Sequence, residues 1–413
     1  MGVRTRCSDD YLWLPYAVCR YMEATGDESI LEVQTHFLTG RPLKPDEQTY
    51  YELPGISQET ASVYDHCVRS IHYGLKFGVH GLPLIGSCDW NDGMDKVGIK
   101  GAGESVWLAF FLCDVLKKFQ LIARQRKDET MATLCVRELE KIKNNIALHA
   151  WDGEWFKRAY FDDGSPLGSK SNTECRIDSI AQSWAVISQT GTSEQQQQAM
   201  QSVRDYLVKE QDKLILLFTP PFDVSKPDPG YIEAYVPGIR ENGGQYTHAS
   251  TWTIMAFAEL QEYEYAWQLV SLLNPFNHAR ALHEVNKYKI EPYAVAGDVY
   301  GVEPHTGRGG WSWYTGAAGW LYQVIVQSLL GIHLLQGKYL LLNPHLPDSW
   351  NEITISYRYH DTEYEIKVMR GAANRLTLDG IVQKENKITL VDDHKAHSVE
   401  LILLQNPGDR FTQ

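Results

Sequence analysis

Gly81-Leu-Pro-Leu-Ile-Gly-Ser-Cys-Asp-Trp-Asn-Asp-Gly-Met-Asp-Lys96 joins two stretches of helical apolar spacing. Glycines flank its centre, Asp89-Trp90-Asn91-Asp92, so the segment reads as a loop between helices. Asp, Asn and Gly favour turns on their own account. Here two carboxylates, an indole and an amide stand in succession. That set suits a sugar: the apolar face of a pyranose lies on the ring while a carboxyl reaches a glycosidic oxygen.

Outward from this loop, apolar residues recur three and four apart from about Asp10 to Gly331. Val106-Trp107-Leu108-x-x-Phe111-Leu112-x-x-x-Leu116 and Ile180-Ala181-x-x-Trp184-Ala185-Val186-Ile187 show the pattern. Roughly nine or ten helical segments are expected on this spacing. Glycines and prolines collect in the loops at 81–103, 220–244 and 301–310, which also hold the polar and aromatic clusters. Beyond Gly337 the pattern alternates instead, as in Ile353-x-Ile355-x-Tyr357 and Tyr364-x-Ile366-x-Val368. A helical domain over 1–335 and a small β domain over 336–413 are therefore expected, with the change falling between Gly331 and Lys338.

The chain has 413 residues, 43% hydrophobic and 22% charged, an ordinary globular composition. A net charge of -13 argues against nucleic acid or an anionic membrane as partner, and any anionic substrate needs a local basic pocket. The seven cysteines include no C-x-x-C and read as reduced, buried thiols. Met1 to Asp10 is polar rather than signal-like, and no apolar run reaches membrane-spanning length, so a cytoplasmic location is expected.

Four further segments share the character of the first. They are Arg4-Thr5-Arg6-Cys7-Ser8-Asp9-Asp10, the loop from Asp228 to His248, Asn274-Pro275-Phe276-Asn277-His278, and Gly307-Arg308-Gly309-Gly310-Trp311-Ser312-Trp313-Tyr314-Thr315-Gly316-Ala317-Ala318-Gly319-Trp320. Taken in order with the Asp89–Asp92 loop, they resemble the catalytic domain of glycoside hydrolase family 94, the inverting β-glucoside phosphorylases. The likeness is closer to the C-terminal region of bacterial cyclic β-1,2-glucan synthases and to β-1,2-oligoglucan phosphorylases. It implies a mainly α fold, an (α/α)6 barrel followed by a small C-terminal β-sandwich. The family carries a β-sandwich and further barrel helices ahead of the Arg/Asp motif. The resemblance thus implies a barrel incomplete at its N-terminus, part of a longer protein or of a split gene, and the cytoplasmic portion of an inner-membrane synthase is one such context. A homodimer is left open.

Inverting cleavage needs an acid on the leaving oxygen and a nucleophile on the opposite face. A phosphorylase uses phosphate as nucleophile, so it needs an anion cradle in place of a second carboxylate. By resemblance Asp92 is the general acid and Trp90 an aromatic of the glucosyl site. Asp89 and Asp95 are expected to scaffold the loop or to raise the proton affinity of Asp92. His278, Thr315 and Gly316 match the phosphate ligands, and Arg308 is a further cation that the resemblance does not assign. Taken alone, Thr315 reads as a helix N-cap and His278 as a core histidine. Arg4, Asp9 and Asp10 resemble the glucosyl-recognition segment, with Arg4 against Arg6 and Asp9 against Asp10 unseparated. Glu241, Asn242, Tyr246 and His248 are expected on the cleft wall near the acceptor.

No metal or organic cofactor is expected, since no H-E-x-x-H or Cys/His cluster occurs; inorganic phosphate is the co-substrate. The expected partners are a β-glucan or gluco-oligosaccharide and phosphate. The leading expectation is reversible inverting phosphorolysis of β-glucosidic bonds, β-1,2 first, giving α-glucose 1-phosphate. An inverting hydrolase with Glu241 as base, and a non-catalytic glucan-binding or chain-length-controlling piece of a synthase, are the alternatives.

Overall fold

The computed structural model describes residues 2–44, 47–313 and 315–404. Its α-helices are α1 (Trp13–Thr25), α2 (Val63–Gly74), α3 (Val106–Gln125), α4 (Glu129–Asn145), α5 (Ser179–Ile187), α6 (Ser193–Tyr206), α7 (Thr247–Glu259), α8 (Tyr263–Leu273), α9 (Leu282–Tyr288) and α10 (Ala317–Gln323). π-helical turns Ile146–Ala150 and Val324–Leu329 extend α4 and α10.

Two kinds of helix alternate. α3, α5 and α7 are buried nearly all round; α3 alone buries Trp107, Phe110, Phe111, Leu112, Val115, Leu116 and Phe119. A helix apolar on every face has no solvent side, so it lies inside. α4 buries one stripe, Met131, Cys135, Leu139 and Ile142, and α6 another, Ala199, Met200 and Val203. Such helices form an outer layer. The packing follows this division: α1 meets α3, α3 meets α5, α5 meets α7 and α7 meets α10, while α2, α4, α6 and α8 back onto α1, α3, α5 and α7. Trp107, Trp184 and Trp252 stack edge and face among the inner helices, with centroids 5.3 to 6.3 Å apart. At the two ends of the series, Arg20 of α1 donates to Gln323 of α10 (2.9 Å) and to Gln327 (2.8 Å). Local capping starts the inner helices: Ser105 accepts from Leu108 N at α3 and Asp178 from Ile180 N at α5.

The C-terminal part begins with strand Ile332–Leu335, which pairs antiparallel with Tyr339–Leu342, itself paired with Lys387–Thr389. A second, five-stranded sheet runs Glu352–Tyr359, Thr362–Gly371, Ala396–Leu404, Arg375–Leu378, Ile381–Val382, with Thr362–Gly371 and Ala396–Leu404 parallel. Alternate residues Tyr364, Ile366 and Val368 meet Leu340, Leu342 and Ile388 in one core shared by both sheets.

Helix makes up 38% and strand 24% of the described residues, so the content is mixed where mainly α is expected. Part of the difference lies in the 34–62 region. Strand Gln34–Thr39 pairs with Gly55–Ser62, and Gly2–Thr5 with Thr49–Glu52. These strands are largely exposed, so neither face carries the alternating apolar pattern that marks a half-buried strand. Among the described residues, no helix is long and apolar enough to cross a membrane. Cys7 and Cys88 form a disulfide with Cα atoms 4.7 Å apart, which corrects the expectation that every thiol is reduced. Cys19, Cys67, Cys113, Cys135 and Cys175 are free and buried.

Candidate active site

The Asp89–Asp92 loop is held from beneath by a buried ion network. Arg158 is fully buried and donates through both terminal nitrogens to Asp89, each at 2.6 Å. Its Nε lies 3.3 Å from Asp178. Ser105 Oγ donates to Asp89 Oδ2 (2.6 Å) and the Asn91 amide to Asp89 Oδ1 (3.1 Å). Burial alone would weaken the hold of Arg158 on its proton; the Asp89 and Asp178 carboxylates more than offset this, so it stays charged. Burial pushes the Asp178 carboxyl up to about 6. Asp89 is thus a scaffold residue, as expected.

The other end of the loop is stitched to the segment around Tyr231. Asp95 Oδ1 accepts from Tyr231 N (2.9 Å), Gly93 O from Ile232 N (2.9 Å), and Pro229 O from Lys96 N (3.2 Å). Gly230 sits at the crossing with φ +125°, and a Cβ there would lie 2.6 Å from Asp95 N, so only glycine fits.

Between these anchors Asp92 faces a cavity of about 260 Å³. Trp90, Glu241, Tyr246 and His248 line it, with Thr315 and Gly316 from the loop that enters α10. The structure therefore brings together seven of the expected site residues from three separate segments. The Tyr231 phenol is also on the wall; burial first, then the charge of Asp92, holds it protonated. Trp90 meets Tyr246 edge-on (5.5 Å, 86°) and donates through Nε1 to His248 Nδ1 (3.4 Å). That bond puts the His248 proton on Nε2. Burial lowers the imidazole to about 4, so it is neutral near pH 7. The Glu241 carboxyl is raised, by burial first and also by the charge of Asp92. Thr315 stands one residue ahead of Gly316, which is the N-cap of α10; its Oγ1 accepts from Ala317 N (3.1 Å), and its own hydroxyl proton can still be donated. Asn242 is scaffolding: its amide bonds Phe222 and Tyr235 main-chain atoms at 2.7 to 2.9 Å.

Five expected residues lie elsewhere. His278 bonds Leu272 O through Nε2 (2.6 Å), stacks on Tyr288 (4.5 Å, 13°) and lines a separate cavity of about 210 Å³. Arg308 is exposed, with its guanidinium 5.8 Å from the Tyr300 ring centre. Arg4 is committed to the strand pairing with Tyr50, and it lines another cavity, of about 680 Å³, with Asp10. Asp10 accepts from Thr5 Oγ1 (2.7 Å). Asp9 is buried, accepts from Trp13 Nε1 (3.0 Å), and is pushed by burial up to about 7.

Sequence reasoning missed Arg158, Asp298, Tyr231, Tyr235 and Arg240. Asp298 is buried and accepts from Arg240 N (3.2 Å) and Trp311 N (2.8 Å), so one carboxylate ties Arg240 on the cavity wall to the chain that leads to Thr315. Gly310 leaves room for that carboxylate, which a side chain there would overlap. Arg240 stands next to Glu241 in sequence, and that adjacency was the one available signal.

A model described as the glycosyl hydrolase 94 superfamily catalytic domain matches residues 1–331. Cyclic beta-(1,2)-glucan synthase NdvB of Rhizobium meliloti (strain 1021) is 44% identical over 389 residues, 94% of this chain and 14% of the synthase. Solabiose phosphorylase of Paenibacillus borealis is 28% identical over 402 residues, 95% of this chain and 49% of that protein. N,N'-diacetylchitobiose phosphorylase of Vibrio proteolyticus is 26% identical over 374 residues, 89% of this chain and 43% of that protein. The chain spans less than half the length of each of these relatives. Among solved structures, a GH78 family rhamnosidase of Bacillus sp. GL1 superposes with a TM-score of 0.54 at 10% identity, over 97% of this chain and 35% of that one. At that identity the likeness is one of fold alone.

Proposed function

The chain belongs to the glycosyl hydrolase 94 superfamily, and on that premise we propose that it carries out inverting phosphorolysis of β-glucosidic bonds, releasing α-glucose 1-phosphate from a β-1,2-glucan. The observation that carries this reading is the cavity in which Asp92 and Trp90 share one space with Thr315 and Gly316. The glucosyl ring lies against Trp90. Asp92, beside Tyr231, gives its proton to the glycosidic oxygen as the C–O bond breaks. Phosphate, held at Thr315 and Gly316, forms the new bond to the anomeric carbon from the opposite face, which turns β into α. The reverse reaction transfers glucose from glucose 1-phosphate to an acceptor. Tyr246 and Glu241 lie on the acceptor side. The β-1,2 linkage rests on the 44% identity to the glucan synthase. The alternation of inner and outer helices supports an (α/α)6 barrel as scaffold, and the shared core of the two C-terminal sheets supports a β-sandwich.

Glu241 in the same cavity supports a second reading, an inverting hydrolase in which it activates water. A glucan-holding piece of a synthase is the third, on the same identity. Incubation with β-1,2-glucan, with and without inorganic phosphate, separates them. Glucose 1-phosphate that appears only with phosphate is expected. Free glucose released without phosphate would favour the hydrolase, and binding without release the holding piece.

A further inference from the structure

The Asp92 cavity presents a charge problem. A phosphate dianion has to enter a space already lined by the carboxylates of Asp92 and Glu241, in a chain of net charge -13. The cations expected for it are not there: His278 is engaged with the Leu272 carbonyl and Arg308 lies outside. His248 lines the cavity, but burial keeps it neutral. Among the described residues of the wall, Arg240 is the one with a permanent positive charge.

We propose that Arg240 is the cation of the phosphate subsite, its guanidinium binding the phosphate that Thr315 and Gly316 face across the cavity. The proposal rests on the phosphorolysis reading and adds to it the residue that recognises the anion. Three features of the geometry support it. The guanidinium is braced over two rings, 4.8 Å from the centre of Tyr235 and 5.7 Å from that of Trp311, which restricts its swing. Its backbone is in the left-handed region, φ +54°, a conformation costly for a residue with a Cβ. The Asp298 carboxylate holds that backbone through the Arg240 amide, and its other oxygen holds the Trp311 amide on the chain leading to Thr315. Arg240 and the Thr315 loop therefore share one buried anchor, and their spacing is set by a single side chain. Glu241 Oε2 lies 3.6 Å from Arg240 Nε. A guanidinium presents its N–H donors as a planar fork that matches the oxygens of a phosphate.

The test uses the whole chain with Arg240→Gln and Arg240→Lys. Binding of inorganic phosphate is measured by calorimetry, and KM values for phosphate and for β-1,2-glucan are measured separately in glucose 1-phosphate release. Arg240→Gln is expected to weaken phosphate binding about ten- to a hundredfold, the worth of a hydrogen bond to a charged group. The same variant should raise the phosphate KM in proportion and leave the glucan KM within about twofold. Arg240→Lys should fall between, since it keeps charge but not the fork. Wild-type phosphate binding retained in a folded Arg240→Gln protein would overturn the proposal, as would equal weakening for both substrates or no phosphate binding by the wild type. If the wild type binds phosphate yet releases no glucose 1-phosphate, the phosphorolysis reading fails, while the calorimetric comparison still decides the role of Arg240.

Discussion

Asp89 and Asp92 belong to one tetrapeptide and meet opposite surroundings. Asp89 is enclosed with Arg158, Ser105 and the Asn91 amide, whereas Asp92 opens on the cavity beside Tyr231. Their substitutions should therefore separate. Asp92→Asn is expected to lower phosphorolysis by about a hundred- to ten-thousandfold, the usual worth of a general acid, with unchanged stability. Asp89→Ala should leave Arg158 buried with one partner fewer and cost about 3–5 kcal/mol in denaturant unfolding. Near-normal rates in Asp92→Asn would reassign the acid. Asp9 carries a pH dependence. Its carboxyl titrates near 3.8 in the unfolded chain and near 7 when buried. Between those values the folded state binds the extra proton, so stability is fully present below about pH 4 and is lost as pH rises through 7. Asp9→Asn keeps an acceptor for Trp13 Nε1 and cannot ionise. Relative to this variant, the wild type should lose up to about 4 kcal/mol between pH 4 and pH 8, read from urea midpoints at both. Parallel pH profiles for the two proteins would refute this.

At the scale of elements, the site is a set of loops whose positions come from cross-links rather than from the helices they join. The Gly93–Lys96 stretch is bonded to Pro229, Tyr231 and Ile232, and Gly230 lets the two backbones approach. Gly230→Ala forces a Cβ toward Asp95 at a φ that L-residues avoid. Activity should fall at least about tenfold as Tyr231 and Asp92 lose their mutual placement, since a misplacement of about 1 Å can cost a hundredfold. Measured glucose 1-phosphate release equal to wild type would show that the crossing is not needed. The same cross-links explain what was legible beforehand. Trp90, Asp92, Glu241 and Thr315 stand in short chemical clusters between helices, so local sequence announces them. Helices such as α3 announce themselves by dense apolar spacing. The Arg158–Asp89 and Asp298–Arg240 contacts join residues 69 and 58 apart, and the adjacency of Arg240 to Glu241 is the one local signal they leave. His278 shows the converse: a matching motif is present, and tertiary packing with Tyr288 and Leu272 uses its ring instead.

For the whole molecule, the question is what relates the first inner helix to the last, because α10 follows directly on Thr315 and Gly316. Arg20 on α1 makes that link. It donates to Gln323 and Gln327, and its guanidinium lies 5.8 Å from the Tyr16 ring centre and 5.9 Å from that of Trp320. Trp320 in turn stacks at 5.8 Å on His248, which lines the Asp92 cavity. The C-terminal β unit presses on the same place: Val326 and Leu330 pack into its core, and the Gln336 and Gly337 amides donate to the Glu23 and Ala24 carbonyls at the end of α1. A change at Arg20 should therefore be felt in both stability and the Thr315–Gly316 side of the cavity. Arg20→Met preserves much of the apolar contact and removes the charged donors, so it should cost about 1.5–3 kcal/mol in unfolding free energy. Its effect on kinetics should be selective, raising the phosphate KM through a displaced α10 more than the glucan KM, since Arg158 holds the Asp89–Asp92 loop from beneath through Asp89. Steady-state titrations of each substrate against the variant check this directly. Equal changes in both KM values would mean that α1 and α10 move the entire cavity as one body.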